Sequence, residues 1–190
     1  MRWTRRWQDS WKNIFTHVRS WLCRLRVSIW QPSASGKVPA EIPDAEILVR
    51  GICSPFHVSV SKNKLKPEAF DPFPGTDEVS VMRVKYLGDA RCKLRAKALE
   101  RLPTKSYRGV AVFTAELARK NCAVVVDSRR HYLGHADIHY QFEAPPPGEP
   151  LPAEVLSQLR PRLKELSKRA KYIPDPLPQS CRWSGEAMRC

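Results

Sequence analysis

Heptad spacing marks both ends of this chain and nothing between them. At the start, Trp7, Trp11, Ile14, Val18, Trp21 and Leu25 follow one another at steps of four and three. Near the end, Leu156, Leu159, Leu163, Leu166, Ala170 and Ile173 do the same. Such steps gather side chains on one face of an α-helix, so each end predicts an amphipathic helix. Pro161 falls inside the second stripe and predicts a kink or a fresh helix start there. Between the stripes the apolar residues come in short alternating or β-branched runs bounded by Gly, Pro, Asn and Asp, which predicts strands.

These middle runs organise a domain. Glu46–Ile52 reads as a first strand, Phe56–Val60 as a second or an irregular crossing, and Val79–Val84 as a half-buried strand. The segment from Asp71 to Asp77 is dense in turn formers and predicts a loop. Asp89 is placed to cap a helix over 90–101 that Pro103 ends. A strand at Arg108–Phe113 follows. Thr114 then caps a short helix, Ala115–Lys120, with Asn121 as its stop. Ala123–Asp127 and Ala136–Phe142 complete the set. The expected fold class is α+β: one mixed-sheet domain with two short helices, flanked by N- and C-terminal amphipathic helices. The expected segments are a basic Trp-rich helix over 1–30, a linker over 31–41, the core domain over 42–142, a Pro-rich connector over 143–152, a helix over 153–173 and a disordered tail over 174–190.

Charge narrows the partners. The chain of 190 residues carries a formal net charge of +14. Residues 1–37 hold eight Lys/Arg against one acid, so half of the excess sits on the first fifth of the chain. A basic chain is attracted to polyanions, because each neutralised phosphate releases counterions. On the first helix the face formed by Trp3, Trp7, Trp11, Phe15 and Trp21, interleaved with Arg, suits a protein groove, an anionic membrane surface or a nucleic acid. It also has the amphipathic, acid-poor character of an organellar transit peptide. A second basic run, Arg91, Lys93, Arg95, Lys97, Arg101, Lys105 and Arg108, has the composition to track a phosphate backbone. Its helical wheel gives no single clean basic face, and a solvated charged helix reads the same way.

Chemistry-bearing motifs are few. There is no P-loop, GxGxxG, GxSxG or HExxH, and no RNA-recognition, KH, zinc-finger or bZIP pattern. The six cysteines form no CxxC, and without a secretory signal they read as reduced thiols in a cytoplasmic protein. No run of apolar residues reaches membrane-spanning length. One constellation remains. Along His135–Phe142 a strand places His135, Asp137, His139 and Gln141 on one face and Ala136, Ile138, Tyr140 and Phe142 on the other. Two imidazoles flanking a carboxylate can run acid–base chemistry, with His135, Asp137 and His139 as candidate catalytic residues of a small hydrolase or nuclease. The alternative is the solvated face of an edge strand. His131 lies just before. A zinc site needs a fourth ligand or water that the sequence does not nominate, so no metal and no cofactor is expected.

Ala69-Phe70, then Asp77-Glu78-Val79-Ser80-Val81, and later Gly134-His135-Ala136-Asp137-Ile138 resemble a family of small uncharacterised bacterial proteins. Those proteins carry AF, then (L/V)SV, then a terminal HA-x-I. The resemblance spans about residues 47–142 and leaves both terminal helices outside. It implies a prokaryotic cytosolic setting and draws attention to His135, and it implies no activity. Taken together, the sequence predicts a non-enzymatic basic accessory subunit that contacts nucleic acid and a protein partner in a bacterial assembly. A small hydrolase and a membrane-surface protein anchored by its first helix are the other two readings. The oligomeric state is not legible.

Overall fold

The computed structural model divides the chain into residues 1–36 and 37–190, and it describes residues 38–190 apart from 102–103, 122, 130 and 147–148. The expected helix over 1–30, with Trp3, Trp7, Trp11, Phe15 and Trp21, lies outside the described residues. So does most of the expected linker.

The described residues form an α+β fold around one six-stranded sheet. Its strands are β1 (Ile47–Ser54), β4 (Glu78–Arg83), β5 (Ser106–Thr114), β6 (Val124–Asp127), β7 (His135–His139) and β8 (Lys171–Pro174). A small separate hairpin pairs β2 (Val58–Ser59) with β3 (Lys64–Leu65). The strand order is β6-β7-β4-β1-β5-β8. Every pairing is antiparallel, which corrects the expected mixed sheet. No connection makes the parallel crossover a mixed sheet requires.

Among the described residues three α-helices accompany the sheet: α1 (Val84–Lys97), α2 (Ala115–Lys120) and α3 (Ala153–Arg169). The sequence locates α2 to the residue, because Thr114 Oγ1 accepts from the Leu117 amide at 3.2 Å and satisfies an N-terminal donor. Helix α1 has a break at Gly88 that sets one short turn, from Val84, apart from the regular helix, whose start falls close to the expected one at residue 90. Gly88 leaves the helical path at φ 70°, ψ 161°, and regular turns resume beside Asp89.

The sheet is covered on both faces. On one face Leu48, Ile52, Val79, Val81, Phe113 and Ile138 pack with Leu159, Leu163 and Leu166 of α3. On the other, Val49, Met82, Val110 and Val112 pack with Cys92 and Ala96 of α1 and with Met188. Gly51 allows this second packing. A Cβ at that position would lie 2.8 Å from Ala96 Cβ, so a side chain there would push the helix off the strand. Arg83 is fully buried yet paired. Its guanidinium reaches both oxygens of Glu46, at 2.5 and 2.9 Å, Asp127 Oδ1 at 3.1 Å and the Pro39 carbonyl at 2.7 Å. A bidentate, charge-assisted pair of this kind satisfies the donors that burial would otherwise leave empty.

The C-terminal third departs furthest from expectation. The heptad helix stops at Arg169, and Lys171–Pro174 instead joins the sheet as β8 beside β5. The core therefore extends past residue 142. The tail read as disordered is folded onto α1. Lys93 Nζ lies 2.7 Å from Asp175 Oδ2 and donates to the carbonyls of Leu177 (2.9 Å) and Arg182 (2.7 Å). Lys97 Nζ donates to Pro178 and Gln179. Met188 is buried, and its amide donates to Asp89 Oδ2 at 3.3 Å. Cys53, Cys92 and Cys190 are free, whereas Cys181 is disulfide-bonded, so the expectation of reduced thiols fails at that position.

Candidate functional site

Strand β7 presents the expected division. Ala136 and Ile138 enter the core, while His135, Asp137 and His139 share the opposite face. The strand is not an edge, however. It pairs with β4 on one side and β6 on the other. Residues directly opposite in an antiparallel pair share a face, so His135 neighbours Met82, and Asp137 lies between exposed Ser80 and Val126.

His135 and Asp137 are brought together. His135 Nδ1 stands 3.7 Å from Asp137 Oδ2 and 2.7 Å from Ser128 Oγ. The rings of His131 and Tyr132 both meet His135 edge-on at 4.8 Å, and the Arg95 guanidinium lies 4.2 Å over Tyr132. His135 is 5% exposed and Asp137 1%, whereas His131 faces solvent. Burial holds the His135 imidazole below its ordinary pKa against the pull of the Asp137 carboxylate. The same burial leaves Asp137 Oδ1 without a hydrogen-bond partner among the described residues. This corrects the reading of a solvated strand face.

His139 does not join this group. Its Nδ1 is 3.0 Å from Asp77 Oδ1, and its Nε2 is 3.9 Å from Glu78 Oε2. A catalytic trio of His135, Asp137 and His139 is therefore not assembled. Nor do Ser128, His135 and Asp137 make a nucleophile relay. Such a relay uses the two imidazole nitrogens in opposite directions, and here both neighbours approach Nδ1.

The basic run is likewise redistributed. Lys93 is fully buried, and Lys97 is engaged with the tail. Arg95 lies over Tyr132, Lys105 lies 5.9 Å from the Phe56 ring, and Arg108 donates to Ser54 Oγ at 3.1 Å. Arg91 is half-buried. The side chain of Arg101 lies outside the described residues. Lys93 is thus withdrawn from any phosphate-tracking face, because its ammonium is enclosed by a carboxylate and two carbonyls.

An open basic face occurs instead on α3. Leu159, Leu163 and Leu166 are buried, and Arg160, Lys164 and Lys168 stand exposed on the opposite side. Steps of four residues set these charges in one row about 12 Å long. Arg160 Nη1 reaches Glu68 Oε1 at 2.9 Å. Among the described residues, Lys164 and Lys168 have no carboxylate within ion-pair distance. The sequence held the signal for this row in the four-residue steps of Arg160, Lys164 and Lys168, which share the exposed side of the helix with Ser157, Pro161 and Glu165. A cleft of about 480 Å³, lined by Pro43, Glu46, Val84, Lys85 and Asp89 among others, lies beside α1 and does not include the histidine group.

Comparison with protein-family models, curated proteins and solved structures finds no match to this chain. Among the described residues no helix is long and apolar enough to cross a membrane.

Proposed function

We propose that the protein is a non-enzymatic accessory subunit that contacts nucleic acid through its basic surface and a protein partner through its Trp-rich N-terminal segment, within a bacterial assembly. The observation that supports it best is the row Arg160, Lys164 and Lys168 on the outer face of α3, where Lys164 and Lys168 have no carboxylate within ion-pair distance among the described residues. Rows of this kind bind phosphates by charge and position, without reading bases. The +14 net charge extends the attraction beyond the row. Burial of His135 and Asp137, and the separation of His139 from them, favour this reading over a hydrolase built on those three residues.

Fluorescence anisotropy of a labelled RNA single strand and a DNA duplex with the full chain tests the reading. Affinity that falls steeply between about 50 and about 200 mM salt is the expected result. Absence of salt-sensitive binding to either probe at the lower concentration overturns it.

A further inference from the structure

We propose that His131, His135 and Asp137 form a binding site for a zinc-class divalent transition metal, which fastens the 128–134 loop to the sheet.

The geometry is the first support. One donor atom from each of the three residues lies within 4.8 Å of the others. A tetrahedral ion with bonds of about 2.0–2.2 Å places its donors about 3.4 Å apart. His135 Nδ1 and Asp137 Oδ2, at 3.7 Å, are near that spacing already. His131 is the exposed member, carried on the loop, so its ring is the one free to close the remaining gap. The other two are fixed: Asp137 by the β4 and β6 ladders on either side, His135 by its burial at the start of β7.

The second support is independent of spacing. The Asp137 side chain is 2% exposed, and its Oδ1 has no hydrogen-bond partner among the described residues. No described Lys or Arg reaches it within ion-pair distance, where its one ionisable neighbour is His135, and the Arg50 guanidinium acts on it only from farther off. A carboxylate enclosed in this way is costly unless a cation answers it. A metal ion between the carboxylate and two imidazoles supplies that cation.

The donor set selects the class. Two imidazole nitrogens and one carboxylate oxygen suit zinc and its neighbours, whereas magnesium and calcium favour all-oxygen sites. Three protein ligands leave one tetrahedral position for water, and binding exchanges the 2.7 Å hydrogen bond between Ser128 Oγ and His135 Nδ1 for the bond from that nitrogen to the ion. Closing the site joins two histidines four residues apart across the turn at Gly134, where φ is 83°. Metal binding would then stabilise the loop against the strand as well as the site itself.

The test uses the full-length protein stripped with a chelator and titrated calorimetrically with zinc, then with cobalt(II) for its visible absorption. The expected result is one equivalent bound, with a tetrahedral cobalt spectrum. His131→Ala, at an exposed position, should fold normally and bind at least tenfold more weakly. Asp137→Asn should also lose binding and tests the buried ligand. Failure to bind either metal overturns the proposal. So does binding unchanged in His131→Ala, which would place the metal on other cysteines or histidines of the chain.

Discussion

Lys93 Nζ and Asp175 Oδ2 stand 2.7 Å apart with neither side chain exposed to solvent. They tie α1 to the segment that follows β8, and Lys93 adds hydrogen bonds to the Leu177 and Arg182 carbonyls. Removing one member of a buried pair strands the other charge in the interior, a cost of about 3–5 kcal/mol. Lys93→Met should therefore lower the urea midpoint by that amount of stability at nearly unchanged m-value. Adding Asp175→Leu to the same chain should recover much of the loss, since no isolated charge then remains. A single variant as stable as the parent would show that the tail is not held by this pair.

Gly109 makes a separate prediction at the junction of β5 and β8. Its φ is +150°, and a Cβ there would lie 2.3 Å from the Ile173 carbonyl oxygen. Gly109→Ala cannot be accommodated without separating the two backbones. Amide hydrogen exchange should report loss of protection over Lys171–Pro174 first, ahead of β1 and β4. Uniform protection would contradict the close approach.

Acid should weaken the fold in a defined window. Burial, with Arg50 and Lys105 nearby, lowers the pKa of His57 to about 4, and its Nδ1 accepts the Cys53 amide at 3.2 Å. Unfolded, the same side chain titrates near its ordinary value of about 6.5. The unfolded state thus takes up the proton first. Stability is full above about pH 6.5, falls as pH drops from there towards 4, and loses up to about 3 kcal/mol from this group. His135, lowered in the same direction, adds to the slope. Denaturation series at stepped pH should show His57→Asn, which keeps an acceptor for the Cys53 amide, with a flatter profile than the parent.

Charge reversal on α3 tests the proposed interface without touching the core. Lys164 and Lys168 are exposed and carry no described ion pair. Lys164→Glu with Lys168→Glu should leave the thermal midpoint within a few degrees. The slope of log affinity against log salt for duplex DNA should fall by about 2, as two phosphate contacts are lost. An unchanged slope would move the contact to another part of the basic surface.

What the sequence carried was local. The alternation through His135–Ile138 assigned both faces of β7, and Thr114 with Asn121 set the limits of α2, because caps and period-two patterns act between near neighbours. The all-antiparallel order and the recruitment of Lys171–Pro174 were not legible, since strand pairing depends on partners far along the chain. The tail differs from its expectation for the same reason. Pro174, Pro176 and Pro178 give it the composition of a disordered segment, but its carbonyls meet Lys93 and Lys97, more than eighty residues away. The sequence offers those two lysines as part of a phosphate-tracking run or a solvated helix, because their spacing says nothing of what lies across from them. The histidine group was half visible. Alternation alone sets His135 and Asp137 on one face, whereas His131, Ser128 and Tyr132 join them only through the turn of the loop.

The placement of β8 has a consequence for how the molecule is made. During synthesis, β1, β4 and β5 leave the ribosome long before Pro174 does, so the β5 edge stays unpaired until the last strand arrives. Over the same interval the Lys93 ammonium must remain in water, since the carboxylate and carbonyls that later enclose it have not been translated. A nascent chain halted before residue 171 would display an open strand edge and an uncovered helix face together, the combination that favours association between chains.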